Sequence, residues 1–349
     1  MMTLRSQPPW SDSPIDELAA FSDSPAPSVT RVLYTDKDVL GRRYVKTQME
    51  LAGLSVREDA VGNIFGRWDG VEPELAAVAT GSHIDAIPYS GKYDGVIGVL
   101  GAIEAIRVPK RSGFKPRRSL EVILFTSEEP TRFGIGSLGS RLLAGKLHIE
   151  QGPILEDEGI SIGIVTAIAA PASLTVEFEG NGGHAGAVLM PNRNDAGLAA
   201  SELALAVERH VLDSGSIDTV GTVDTRDIDE ERRNKVVEKI HQSAIKITKT
   251  RGVKLSDFHV INQDPPALSD EAIIKAVETA TKELNLTSKL MISRAYHDSL
   301  FMARLSPMGM IFIPCYKGYS HKPEEFATIQ DMSNGVKVLT LTLAKLSSH

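Results

Sequence analysis

Residues 76–107 read AAVATGSHIDAIPYSGKYDGVIGVLGAIEAIR. A short apolar run (76–80) leads straight into a Gly-Ser-His-Ile-Asp turn. A loop rich in Gly and Tyr follows, and from 96 the apolar residues recur at helical spacing. Strand, loop and helix in that order are the unit of an open α/β sheet. In such sheets, ligands bind beyond the carboxyl ends of the strands. The turn at 81–85 therefore sits where chemistry is expected.

Outward from this stretch the same alternation continues. The pattern predicts a helix over 36–54, strands over 60–67 and 119–125, and a short helix over 137–143. An apolar run over 160–170 ends a first block. Period-2 alternation predicts a strand at 173–179. Helices over 195–211 and 229–250 and a strand over 256–261 follow. The remaining elements are a helix over 270–284, a strand at 289–291, a helix start at 297–303, a strand at 310–314 and a closing helix over 331–345. The expected fold is α/β. A catalytic domain with an open, mostly parallel sheet is built from 28–161 plus 267–349. A small α+β satellite (162–266) is inserted into it.

Composition narrows the function classes. The 349 residues carry 38 Lys plus Arg against 45 Asp plus Glu, a net charge of -7, which argues against a nucleic-acid surface. Cys315 is the single cysteine, so neither an internal disulfide nor a multi-thiolate metal site is available. Any metal would be held by imidazole and carboxylate. No apolar run approaches the roughly 20 residues of a membrane span. The first residues show no apolar signal core, which makes the cytoplasm one candidate location.

Four polar clusters could hold metal. His83 offers an imidazole nitrogen, and Asp85, two residues on, can orient that ring from its other nitrogen. Asp94 opens the following helix and can bridge two ions with its two oxygens, or simply cap the helix. After the strand at 119–125 come Glu128 and Glu129. Adjacent glutamates repel unless something positive lies nearby; one would ligate and the other face a bound water, unless the pair is a solvated turn. His148 and His321 are the third and fourth sites, each otherwise a surface residue. This donor set suits paired Mn²⁺ or Zn²⁺ ions, which activate water and polarise a carbonyl.

Three other features carry weaker readings. His184, flanked by glycines, could stabilise charge developing on a carbonyl oxygen. Arg226, in Asp-Thr-Arg-Asp, could clamp a substrate carboxylate or pair with a neighbouring aspartate. His297 could pair with Asp298, orient substrate or cap a helix. Residues 134–139 fit GxGxxG, but eight residues separate them from the preceding strand, so a dinucleotide turn is excluded.

The stretches GSHIDAIPYSGKYDG, LFTSEEPTRFG, LHIEQGP, GNGGHAGAVLMPNRNDAG, DTRD, SRAYHDSLFMA and YSHKPEEF resemble the M20-type metallo-amidohydrolases. The subgroup acts on N-carbamoyl amino acids, allantoate and ureidoglycolate, and the last of these is the nearest pattern. The resemblance implies that His83, Asp94 and His148 hold one ion, and Asp94, Glu129 and His321 the other. The expected ions are two Mn²⁺ per subunit. It implies Glu128 as general base and Asp85 as the group that orients His83. Gln151, Arg226, Tyr296, His297 and Ser299 would bind a small ureido-carboxylate substrate. His184 would act across a homodimer interface, and the protein would reside in the endoplasmic reticulum.

The activity implied is hydrolysis of (S)-ureidoglycolate to glyoxylate, ammonia and carbon dioxide. The alternatives are allantoate or N-carbamoyl-L-amino acid hydrolysis, and a catalytically impaired, dimer-forming variant. The sequence departs from the family pattern twice. Residues 144–145 run into Lys146-Leu147-His148 where several dozen residues are usual. Residues 221–223 run into Asp224 where two strands and a substrate-binding loop are usual. The satellite is therefore read as truncated.

Overall fold

The computed structural model describes residues 13–134, 136–140, 146–182, 187–215, 220–221 and 224–348. The chain forms two compact units. The first comprises the chain up to Ala167, Leu268–Ser293 and the chain from His297 onward; the second comprises Ile168–Ala267 with Arg294–Tyr296.

The first unit begins with α1 (Ser13–Ala19), β1 (Val29–Arg31), α2 (Asp36–Leu51), β2 (Ser55–Glu58), β3 (Ile64–Trp68), β4 (Val78–Ser82), β5 (Ala86–Ser90) and α3 (Val96–Arg111). It continues through β6 (Leu120–Leu124), β7 (Lys146–Ile149), α4 (Ile154–Asp157) and β8 (Ile162–Ile168). The second unit holds β9 (Ala170–Glu179), α5 (Ala196–Asp213), β10 (Val220–Gly221), β11 (Asp224–Asp227), α6 (Glu230–Arg251) and β12 (Lys254–Gln263). The chain closes with β13 (Ala267–Leu268), α7 (Glu271–Glu283), β14 (Ser288–Ser293), α8 (Asp298–Met302), β15 (Met310–Ile313) and α9 (Ile329–Leu346).

Two sheets of the first unit position the site. One has the order β2-β3-β6-β4; the other runs β13-β8-β15-β7, with β14 also on β8. Their pairing is mixed. β4–β6 and β7–β15 are parallel, whereas β2–β3, β3–β6 and β8–β15 are antiparallel. The short connection from Glu58 to Ile64 leaves β2 and β3 no room for a crossover, so they pair as a hairpin. All five residues of β6 are buried, as expected for a strand covered on both faces. Helices α3 and α9 supply much of that cover through Val99, Ala102, Ile103, Val336, Leu339 and Leu343.

Helix starts follow their sequence signals. Thr35, Asp195, Asp229 and Thr328 each accept a backbone N–H from the first turn of α2, α5, α6 and α9. The second unit has its own core, in which Leu174 of β9 packs with Leu203 and Val207 of α5 and Ile240 of α6. Its sheet runs β10-β11-β9-β12, entirely antiparallel. This unit starts later than the position 162 read from the sequence, because β8 pairs with β15 of the first unit. The described part of the helix expected over 137–143 makes turns, and 141–143 lie outside the described residues. Among the described residues, no helix is long and apolar enough to cross a membrane.

Candidate metal centre

β4 delivers His83. Gly81 is required on the way, since a Cβ there would lie 1.9 Å from the Ile123 carbonyl oxygen of the neighbouring strand. Asp94 and Gly95 follow the loop that leaves β5. Gly95 has φ +69°, and a Cβ on it would come within 2.5 Å of His83 Nε2. The glycine is thus what lets the α3 N-terminus close over the imidazole. β6 delivers Glu128 and Glu129, β7 delivers His148, and the loop after β15 delivers His321.

Asp94 is the centre of the arrangement. Its Oδ1 lies 2.7 Å from His148 Nε2 and 3.7 Å from His83 Nε2. Its Oδ2 lies 3.1 Å from His321 Nε2, which is also 3.2 Å from Glu129 Oε1. The five residues form two overlapping three-donor groups, His83-Asp94-His148 and Asp94-Glu129-His321. His83, Asp94, Glu129 and His148 are buried, and His321 is on the open side. Two buried carboxylates and three imidazoles sharing one carboxylate form a donor set that fits a pair of borderline divalent cations.

The electrostatics express that crowding. Burial pushes the Asp94 carboxyl up, but the His148, His321 and His83 imidazoles outweigh it and hold it well below the usual carboxylate range. Burial raises Glu129, with His321 opposing. Hydrogen bonds to Asp94 and Glu129 push His321 up to about 11.

Asp85 does more than face His83. Its Oδ1 accepts the Glu128 N–H at 3.2 Å and its Oδ2 accepts the Glu129 N–H at 2.9 Å. His83 Nδ1 lies 3.1 Å from the Asp85 main-chain oxygen and 3.4 Å from Oδ1. The carboxylate therefore fixes the backbone of the double-glutamate turn, and the ring has a main-chain partner that any residue would supply. Glu128 Oε2 lies 3.7 Å from His83 Nε2, so this carboxylate reaches the centre beside Glu129. Ser127, Gln151 and His321 all have φ between 57° and 59°, a left-handed conformation disfavoured for side-chain-bearing residues.

Two supporting residues escaped the sequence reading. Glu325 Oε1 accepts the N–H groups of both Tyr93 and Asp94 at 2.8 Å. Ser320 donates to Asp94 Oδ2 at 3.1 Å, and Gln151 Nε2 donates to the same oxygen at 2.9 Å. Their signal was only nearness in sequence to His321.

The remaining candidates divide between the units. In the first, His297 is buried with its ring centroid 4.8 Å from that of His148. It holds the N-cap position of α8 without a side-chain cap bond. Ser299 is buried on α8 and its Oγ has no hydrogen-bond partner. In the second unit, Arg226 contacts both oxygens of Asp224, at 3.3 and 3.0 Å, and donates to the Arg294 carbonyl at 2.8 Å. That is the aspartate pairing weighed from the sequence. Tyr296 donates to Asp264 Oδ2 at 2.8 Å. His184 lies outside the described residues.

The model of peptidase family M20/M25/M40 matches residues 79–345. The ureidoglycolate hydrolase of Arabidopsis thaliana is 65% identical, with 97% of this chain and 86% of that protein covered. That alignment spans 411 positions whereas this chain has 349 residues, so at least 62 positions (411 − 349) have no counterpart here. Crystal structures of AtUAH with glyoxylate and with (S)-hydroxyglycine each give a TM-score of 0.92 at 65% identity, covering 96% of both chains. The matched span contains the five clustered donors and Glu128. The chain belongs to peptidase family M20/M25/M40, whose members are dinuclear metal-dependent enzymes.

Proposed function

We propose that this chain is a two-metal amidohydrolase that converts (S)-ureidoglycolate to glyoxylate, ammonia and carbon dioxide. One observation carries the metal half: Asp94 turns one oxygen to His83 and His148 and the other to Glu129 and His321. His83, Asp94 and His148 would hold one ion, and Asp94, Glu129 and His321 the other. Mn²⁺ is the proposed ion, with Zn²⁺ the alternative. The substrate half rests on the 65% identity to a ureidoglycolate hydrolase and on the glyoxylate and hydroxyglycine bound in AtUAH.

Bound divalent ions supply Lewis acidity toward the ureido carbonyl and lower the pKa of water. This chain's residues do the rest. Glu128 takes the proton from the attacking water and delivers it to the leaving nitrogen. Asp85 holds the Glu128 and Glu129 backbone in place for both roles. Gln151, His297 and Ser299 would contact the substrate's polar groups, and the resemblance gives Tyr296 the same role. Arg226 would exchange Asp224 for the substrate carboxylate. Loss of ammonia and carbon dioxide leaves hydroxyglycine, which breaks down to glyoxylate and a second ammonia. A homodimer carrying His184 into the partner's site, and residence in the endoplasmic reticulum, belong to the same proposal and rest on resemblance.

The test compares glyoxylate and ammonia released from (S)-ureidoglycolate, allantoate and N-carbamoyl-alanine by the Mn²⁺-loaded chain. Turnover confined to ureidoglycolate supports the proposal. Preference for either other substrate reassigns it within the family. Two bound ions and no turnover would identify a catalytically impaired form.

A further inference from the structure

Residues 13–34 precede the span matched by the family, which begins at 79. They nevertheless contact the segments that carry the metal-centre residues. β1 pairs with β5, which places Arg31 opposite Ala86, the residue after Asp85. The Tyr89 N–H of β5 donates to Thr30 Oγ1 at 2.8 Å. Arg132, three residues beyond Glu129, donates to the Leu33 carbonyl at 2.8 Å. The N-terminal arm thus reaches both the segment after His83 and the segment after Glu129.

Arg31 is the centre of that contact. It is 1% exposed, among the largest fully buried side chains. Its guanidinium donates to three main-chain carbonyls. Nη1 reaches Ile84 at 2.7 Å, Nη2 reaches Leu18 at 2.7 Å and Nε reaches Phe21 at 3.0 Å. Ile84 stands between His83 and Asp85, whereas Leu18 lies in the last turn of α1 and Phe21 just past it. Gly41 of α2 leaves room for the side chain, since a Cβ there would lie 3.2 Å from Arg31 Cδ. Burial pushes the guanidinium down to about 10, with the Asp38 and Asp85 carboxylates opposing. A buried charge is costly unless its donors are met. A rigid planar fork meets carbonyls from separate segments only while those segments keep their places. Displacing the Ile84 carbonyl would leave a buried cation short of an acceptor.

We propose that Arg31 is a positioning residue for the metal centre: by holding the Ile84 carbonyl it sets the turn that presents His83 and Asp85, and it couples the packing of residues 13–34 to metal affinity. This role rests on the two-metal reading above. Asp85 passes the constraint on, because its carboxylate accepts the Glu128 and Glu129 N–H groups. Coupling of this kind is reciprocal, so a bound ion should steady the arm as the arm steadies the turn.

The test is Mn²⁺ titration calorimetry with amide exchange, on the full chain unaltered and carrying Arg31→Met or Arg31→Lys. Methionine removes every donor. Lysine keeps the charge but offers one nitrogen to three carbonyls on separate segments. Both should weaken Mn²⁺ binding, Arg31→Met by about 10- to 100-fold and Arg31→Lys by less. Leu343→Ala opens a cavity by the amino end of β4, whereas the metal-bearing turn follows its carboxyl end. It lowers stability and should leave Mn²⁺ affinity within about twofold. In the unaltered chain, Mn²⁺ should slow exchange of the Asp23 N–H, which donates to the Thr30 oxygen at 2.9 Å. That slowing should exceed the slowing within α9, which a general stabilisation of the unit would match. Arg31→Met should abolish the difference. Unchanged affinity in Arg31→Met, an equal loss in Leu343→Ala, or no excess slowing at Asp23 would overturn the role. If neither Arg31 variant folds, the exchange comparison on the unaltered chain decides alone. An unaltered chain that binds no Mn²⁺ would overturn the two-metal reading itself, and this role with it.

Discussion

Asp85→Asn separates two roles that the sequence merges. The carboxylate accepts at both oxygens, from Glu128 N–H at 3.2 Å and Glu129 N–H at 2.9 Å. Asparagine has almost the same shape but one acceptor and one NH₂ donor. One of the two backbone N–H groups would then face a donor. Losing a charge-assisted hydrogen bond removes about 1.5–3 kcal/mol, and leaving the N–H buried and unmet adds about 1–3 kcal/mol. His83 keeps the main-chain oxygen at 3.1 Å, so its ring is the lesser casualty. The damage falls on Glu129 and Glu128. Mn²⁺ titration calorimetry should show the ion at Glu129 and His321 weakened about 10- to 100-fold, with the ion at His83 and His148 less affected. Urea unfolding of the metal-free protein should show a stability loss of about 2.5–6 kcal/mol. Two ions bound with wild-type affinity, at wild-type stability, would refute the assignment of Asp85 to the turn.

Three further predictions address neighbouring groups. Glu128→Gln should retain two ions per chain by elemental analysis while ureidoglycolate turnover falls about 10²- to 10⁴-fold; an unchanged rate would remove Glu128 as the base. His321→Ala should lower the bound ion count from two to one, because His83 and His148 lie on the opposite oxygen of Asp94; loss of both ions, or of neither, would deny that division. Gly95→Ala and Gly113→Ala both place a side chain at positive φ, but only the former meets a neighbour, His83 Nε2 at 2.5 Å. Both should lose about 1 kcal/mol of stability to backbone strain, and only Gly95→Ala should also lose metal.

Three of the clustered donors carry local signals, whereas His148 and His321 read equally well as surface residues. His83 and Glu129 follow apolar runs that became β4 and β6, and Asp94 precedes the helical repeat of α3. What was not legible depends on partners distant in sequence. The two N–H groups that Asp85 accepts are more than forty positions away, and those that Glu325 accepts more than two hundred. A backbone donor leaves no mark in the side-chain code. Arg226 shows a different limit: the same Asp-Thr-Arg-Asp stretch supports a substrate clamp or a local pair, and only coordinates reveal the contact with Asp224. Strand direction was also hidden, since an apolar run reads alike in parallel and antiparallel pairs.

The most direct test is anomalous scattering from crystals of the Mn²⁺-loaded chain. Two peaks are predicted, one at each oxygen of Asp94, the first held by His83 and His148 and the second by Glu129 and His321. A single peak, or a pair elsewhere in the chain, would contradict a two-metal centre built on Asp94.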